Sequence, residues 1–302
     1  DDRSDKMYLA GDDDQAIYRW AGASVEHFLS LPGVSDHLLK SYRIPKSVHR
    51  VADRIVGRIK NRRRKPYTPK EDANGKDTRI SAPHSVEMNE GEWLILAQCN
   101  YMLISVAEML RSQGLLFEMH GKRSIDDKIT TAVRGWETLR NGKQIDLHTV
   151  KTMYSYMRSN SRIKRGFKKV STTADNPLFT LEDLQNKHGL LANAGMIWHV
   201  ALDALPETES TYLTAMLRRK EKITSEPRIK VSTIHGAKGG EADNVMLLTD
   251  ISPTADNSRL AGDEHAQQLN DDLHRLFYVA VTRTKENLYL VDPDDQLRSY
   301  SI

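Results

Sequence analysis

Residues 93–120 constrain the fold most: an apolar run Trp93–Ala97, an amphipathic stretch Tyr101–Ser112, a turn at Gln113-Gly114, and a second apolar run Leu116–His120. Strand, helix and strand in that order make a βαβ unit, whose two strands point the same way and whose helix covers one face of a parallel sheet. The chain is therefore expected to be α/β. The pattern resumes at Ile229–Ile234 and Val245–Thr249, crosses an acidic loop, gives a helix over Gln267–Thr284 and closes with Leu288–Val291. Residues 126–225 read as mostly helical, with polar breaks at 159–161, at 175–177 and at Pro206, and without a strand pattern. They are expected to form an inserted helical domain.

Upstream, Met7–Ala10 reads as a short strand and Ser24–Leu31 as a helix stopped by Pro32-Gly33, with another strand over His37–Ser41. Pro45 opens a longer helix in which Val48, Val51, Ala52, Ile55, Val56 and Ile59 recur at helical spacing as far as Lys60. A polar, proline-broken connector runs from Asn61 through Gly75.

Composition narrows the function classes. The chain has 302 residues, 39% of them hydrophobic, enough for one large or two modest domains. A single cysteine, Cys99, excludes an intrachain disulfide framework, and no Cys/His cluster has zinc spacing, so a reducing compartment such as the cytoplasm is expected. No apolar stretch approaches the roughly 20 residues that span a bilayer, and the acidic opening Asp1–Asp5 is unlike a signal peptide. The net charge of +3 conceals segregation: residues 41–70 carry eleven Lys/Arg against Asp53, and 250–272 carry six acids against Arg259. Residues 151–170 add seven Lys/Arg and no acid, interleaved with Tyr154, Tyr156 and Phe167. Such a mixture suits phosphate contact with base stacking, and equally a solvated basic face.

Four short strings carry chemistry. Gly11-Asp12-Asp13-Asp14-Gln15-Ala16-Ile17-Tyr18-Arg19-Trp20-Ala21-Gly22-Ala23 follows an apolar run, where an α/β sheet presents its ligand loops. The Gln15 carboxamide can donate to a phosphoryl oxygen without a charge penalty, and Tyr18 or Trp20 can stack on a base of any sequence. The alternatives are an acidic turn over buried aromatics and a divalent-metal cluster of Asp12, Asp13 and Asp14, the latter disfavoured because adjacent carboxylates are not expected to face one ion together. Ser41-Tyr42-Arg43 pairs an aromatic with a forked, permanently charged donor. Val231-Ser232-Thr233-Ile234-His235-Gly236-Ala237-Lys238-Gly239-Gly240-Glu241-Ala242 has small residues that let backbone approach a phosphate, and neutral donors in Thr233 and His235. Asp271 through Lys285 is amphipathic, with Leu276, Val279 and Ala280 inward and Arg283 expected to project from the helix end.

In this order the four strings resemble the motifs of UvrD/Rep/PcrA-type superfamily 1 DNA helicases: Gly-Asp-x-x-Gln-x-Ile-Tyr-x-Trp-x-Gly-Ala, Asn-Tyr-Arg-Ser, Thr-x-His-x-x-Lys-Gly-Leu-Glu-Phe, and Glu-Glu-x-Arg-Arg-Leu-x-Tyr-Val-x-x-Thr-Arg-Ala. The resemblance implies a RecA-like, P-loop NTPase-type parallel sheet flanked by helices with a helical insertion. Residues 1–40 would be the tail of a first motor domain, 41–125 plus 226–302 the second, and 126–225 the insertion. It implies ATP-driven 3′→5′ tracking on single-stranded DNA and at single-strand/duplex junctions, by a monomer in a bacterial or phage-infected cytoplasm. Gln15 would sense the γ-phosphate, Tyr42 stack on adenine, Arg43 reach the γ-phosphate, Glu241 accept from a ribose hydroxyl, and Arg283 act as arginine finger. Tyr18, Trp20, Thr233, His235 and Lys238 would touch the DNA strand. Ala21 stands where the family often has arginine, and Gly240 and Ala242 where it has leucine and phenylalanine. In the insertion, Lys164-Arg165-Gly166-Phe167 is similar to a duplex-contacting loop, or is a solvated basic turn.

No Gly-x-x-x-x-Gly-Lys-Ser/Thr occurs, and no apolar strand ends in Asp-Glu. Magnesium ligands are therefore expected in a P-loop half not present in this sequence, and these residues alone are expected not to turn over ATP. Two other readings remain open: a non-catalytic DNA-binding or partner-docking module, and the helicase-like half of a helicase–nuclease.

Overall fold

A computed structural model describes residues 8–171, 175–259 and 264–302; Met7, the acidic opening and Asp263 of the acidic loop lie outside them. In chain order the elements are α1 (Val25–Ser30), α2 (Lys46–Val56), β1 (Lys76–Ile80), β2 (Trp93–Ala97), α3 (Ile104–Ser112), β3 (Phe117–Met119), β4 (Lys122–Arg123), α4 (Asp127–Arg140), β5 (Ile145–Asp146), α5 (Leu147–Ser155), β6 (Leu178–Phe179), α6 (Leu181–Lys187), α7 (Trp198–Ala201), α8 (Glu207–Arg219), β7 (Ile229–Thr233), β8 (Ala242–Leu248), α9 (Pro253–Arg259), α10 (Glu264–Val281) and β9 (Thr284–Val291). They divide into two compact units, Asp1–Glu108 with Arg228–Ile302, and Met109–Pro227.

The first unit is built on a parallel sheet whose strands lie side by side in the order β1, β9, β8, β2, β7. Ile95 sits opposite Val231 on one side and Met246 on the other, so β2 is buried along its whole length, as a central parallel strand with two covered faces should be. Val48, Val51, Ala52 and Ile55 of α2 and Leu276, Phe277 and Ala280 of α10 pack over Leu94, Leu96, Val245 and Leu247. Each valine, isoleucine, leucine or phenylalanine among them contributes about 1.5–3 kcal/mol relative to exposure. Phe277 also stacks on Tyr300 at 4.0 Å, fastening the end of the chain to α10. Before β1 the chain turns at Gly75, whose φ is +63° and where a Cβ would stand 2.4 Å from the Pro45 ring; only glycine meets both conditions without strain.

The second unit has its own core. Trp136, Tyr154, Met153, Ile163, Leu184, Leu213 and Met216 are fully or almost fully buried in it, and its short strands form two antiparallel pairs, β3 with β4 and β5 with β6. Trp136 Nε1 donates to Met196 O at 2.9 Å and Tyr154 Oη to His188 O at 3.1 Å, so the large aromatics lose no hydrogen bond on burial.

Several expectations fail for identifiable reasons. Tyr8–Ala10 is exposed and not a strand. Over His37–Ser41 no strand forms: Leu38 is exposed, and only Lys40 bridges to Thr68 while Thr68 N donates to Leu39 O. Apolar residues read as a strand there, but a connector lies beside them instead of a strand. The helix opened by Pro45 ends at Val56 because Gly57 follows, leaving Ile59 buried in the next turn. β1 carries no apolar pattern since Lys76-Asp77-Thr78-Arg79-Ile80 lies at the end of the strand order and is mostly exposed. α9 lies within the stretch read as a loop, and β5 and β6 within the stretch read as strandless. Tyr154, grouped with the basic residues as a stacking platform, belongs to the core.

Candidate functional site

The Gln15 loop is shaped by its three carboxylates. Asp12 caps the short 3-10 turn Asp13–Gln15 by accepting from Asp14 N, and the turn gathers all three side chains around one ammonium: Lys65 Nζ lies 2.7 Å from Asp12, 2.6 Å from Asp13 and 3.0 Å from Asp14. The expectation that adjacent carboxylates cannot face one ion is thus corrected, and the ion is a side chain. Arg62 forks onto Asp14 with two 2.7 Å bonds, and Arg63 N donates to Asp13 at 2.7 Å. Burial opposes the charge on Asp13, but the Lys65 and Arg63 bonds outweigh it and hold its pKa below the ordinary 3.8. The donors that could form a metal cage here are committed to Lys65 and Arg62, and among the described residues no other group of three or more His, Cys, Asp or Glu is placed to hold a metal. The residues therefore do not fit magnesium.

Arg275 completes this framework from α10. It is 1% exposed; its Nε donates to Asp13 O at 2.9 Å, Nη2 to Asn61 O, and Nη1 to Asp272 at 3.3 Å. Beside it Asp271 accepts from Lys60 N and Asn61 N at 2.9 and 2.8 Å. One helix thereby fixes both the acidic loop and the basic connector. Sequence reasoning assigned Arg275 no role, and read the connector only as a polar, proline-broken part of a basic stretch. The signal available was the charge match between Asp12–Asp14 and Arg62–Lys65.

Gln15 then faces a cleft of about 680 Å³ that also takes in Tyr42, Arg43, Glu241, Arg283 and Lys285. All five residues expected at a nucleotide line it. Arg283 Nη2 donates to Gln15 Oε1 at 3.1 Å, joining positions 268 apart in sequence. Arg283 does not project from the helix. α10 ends at Val281, and the guanidinium folds back, 3% exposed, to donate to Val279 O at 3.0 Å. A helix's last carbonyls lack intrahelical partners and carry partial negative charge, so they attract this cation. Burial, with Arg43 nearby, lowers the Arg283 pKa from its ordinary value. Arg43 Nε reaches Glu241 at 2.6 Å and its Nη1 reaches Thr282 O at 3.1 Å, while Lys285 takes the other Glu241 oxygen at 3.2 Å. Partial burial raises the Glu241 pKa less than these two cations lower it. The Tyr42 ring is exposed at 81%, leaving a face open to a ligand.

The residues expected to touch a DNA strand form a second group. Tyr18, Trp20 and His235 lie with ring centroids 5.9–6.4 Å apart. Trp20 is 76% exposed, and Trp20 and His235 line an apolar hollow of about 510 Å³ with Ile17, Leu273 and Leu276. Burial lowers the His235 pKa from 6.5, Lys238 lowers it further, and the Ile17 carbonyl partly offsets both. Thr233 is turned to structure, its Oγ1 accepting from Gly236 N at 3.2 Å. Lys238 Nζ donates to Gln15 O at 3.0 Å and sits 4.8 Å from the Tyr18 ring centroid.

A family model described as the UvrD-like helicase C-terminal domain matches residues 123–292, more than half of the chain. The chain belongs to that family. It is also similar to the ATP-dependent DNA helicase PcrA of Bacillus subtilis (strain 168), 24% identical over 163 residues that cover 52% of this chain and 22% of the relative's length. In this UvrD-like chain Gln15, Tyr18, Trp20, Tyr42 and Arg43 lie outside the matched span, and Thr233, His235, Lys238, Glu241 and Arg283 lie inside it. Tertiary structure brings the two sets together. The basic turn Lys164-Arg165-Gly166-Phe167 is exposed on the second unit, with the Phe167 ring packed against Gly189. Among the described residues, no helix is long and apolar enough to cross a membrane.

Proposed function

We propose that the chain is the C-terminal part of an ATP-driven DNA translocase of 3′→5′ polarity, with ATP held in the Gln15–Arg43–Glu241–Arg283 cleft and a single strand passing over Tyr18, Trp20 and His235. The convergence of Gln15, Arg43 and Arg283 on one cleft carries this reading: two guanidinium groups and a carboxamide suit a phosphoryl group gaining charge as it is transferred. Tyr42 offers an open ring for the adenine, and Glu241 an acceptor for a ribose hydroxyl. Magnesium, which supplies charge neutralisation between the β- and γ-phosphates, would take its carboxylates from a P-loop-bearing half. Single-stranded DNA, its junctions with duplex, monomeric action and a cytoplasmic setting go with the same reading.

The test joins the chain to a half carrying a Gly-x-x-x-x-Gly-Lys-Thr loop and measures DNA-stimulated ATP hydrolysis. Arg283→Ala is expected to lower kcat by about 10³–10⁵. Undiminished hydrolysis would remove Arg283 from the chemistry, whereas a joined wild type without DNA-stimulated hydrolysis would favour the non-catalytic DNA-binding module.

A further inference from the structure

We propose that Lys238 is a positioning residue that couples the nucleotide cleft to the strand-side aromatics, its ammonium being spent on Gln15 and Tyr18 rather than on a DNA phosphate. This deepens the function proposed above and rests on it. The side chain of Gln15 faces the cleft, with Oε1 accepting from Arg283 at 3.1 Å and Nε2 donating to Asp12 at 2.6 Å. Its backbone carbonyl is held by Lys238 Nζ at 3.0 Å. The same ammonium lies 4.8 Å from the Tyr18 ring centroid, within the range of a cation–π contact. Tyr18 Oη returns to His235 O at 2.9 Å, and His235 Nε2 lies 3.2 Å from Ile17 O. Residues 15–18 are therefore fastened to 235–238 by three hydrogen bonds and one cation–π contact, with Gln15 at one end and Tyr18 at the other. A phosphate that draws Arg283 or Gln15 toward itself moves a carbonyl that Lys238 holds, and the displacement reaches the Tyr18 ring through one side chain. Coupling of this kind is reciprocal: a strand seated on Tyr18 and Trp20 must alter ATP affinity by the same factor.

The experiment uses the chain joined to the same P-loop-bearing half and measures affinity for oligo(dT) against salt, with and without a non-hydrolysable ATP analogue, in wild type, Lys238→Met, Lys238→Gln and Lys238→Arg. Lys238 is exposed, so these variants should keep the wild-type Tm, and the two neutral substitutions check one another. The expected result has two parts. The slope of log affinity against log salt in Lys238→Met and Lys238→Gln matches wild type. The change in oligo(dT) affinity caused by the analogue, about fivefold or more in wild type, falls to about one in both and returns in Lys238→Arg. A slope shallower by about 0.7 in the neutral variants would show a lost phosphate contact and overturn the inference while leaving the proposed function standing. So would an ATP response that survives Lys238→Met, or a wild type that binds both ligands without either affecting the other. With the chain joined to the P-loop-bearing half, a wild type that binds neither oligo(dT) nor ATP would overturn the proposed function, and this inference with it.

Discussion

The first unit contains two sets of opposite charges, and they are built differently. Around Asp12–Asp14 every carboxylate oxygen has a donor, Asp13 and Asp14 are 4% and 2% exposed, and Lys65, Arg62, Arg63 and Arg275 close the network. In the cleft, Arg43 and Lys285 share Glu241, and all three side chains are about one third or more exposed, at 34%, 34% and 41%. The saturated set has no capacity left for a ligand and serves as a frame. The open set can exchange a carboxylate for a phosphate at small cost, because its charges are already partly solvated. A basic segment thus reveals little until its acids are located: of the eleven cations in 41–70, Arg62 and Lys65 serve the frame and Arg43 the cleft.

That contrast can be broken by mutation. Arg62→Met leaves the nearly buried Asp14 with Lys65 as its remaining cation and is expected to cost about 3 kcal/mol in chemical denaturation. A loss under 1 kcal/mol would mean that the frame is no frame. Acid tests the frame next. The lowered pKa of Asp13 means that the unfolded chain binds its proton more readily, so the stability this group adds is present above the ordinary value of 3.8 and lost as pH falls through the folded value. His235, also lowered in the fold, gives a separate loss beginning as pH falls below 6.5, since the unfolded imidazole protonates first. A Tm profile flat from pH 7 to 5 would contradict the half-buried, neutral His235. The smallest effect is expected at Glu241→Gln, within about 1 kcal/mol of wild type in stability. A larger loss there would place the cleft pair in the frame after all.

Much of the fold was legible along the chain. β2, β8, α2 and α10 announce themselves because a buried strand is a largely continuous apolar run and a packed helix repeats its apolar face. β1 was illegible since an exposed end strand is held by backbone bonds to β9, which leave no mark on side-chain pattern. The cleft residues were legible as chemistry, each in a string whose residue types fit a nucleotide. Arg275 was not, because its bonds run to Asp13 O and Asn61 O, and a backbone carbonyl can belong to any residue.

The sequence by itself determined the parallel α/β character, the helical stretch between its halves, and the residue types available for phosphate and base. Those follow from local periodicity and from the chemistry of single side chains. Tertiary structure decided which charges are free. Whether Arg62 meets a ligand or Asp14, whether Arg283 reaches outward or folds onto Val279 O, and whether Lys238 faces a strand or Gln15 O depend on segments up to 268 residues apart. Electrostatic partnership falls off with distance in space, and distance in space is set by packing rather than by sequence separation.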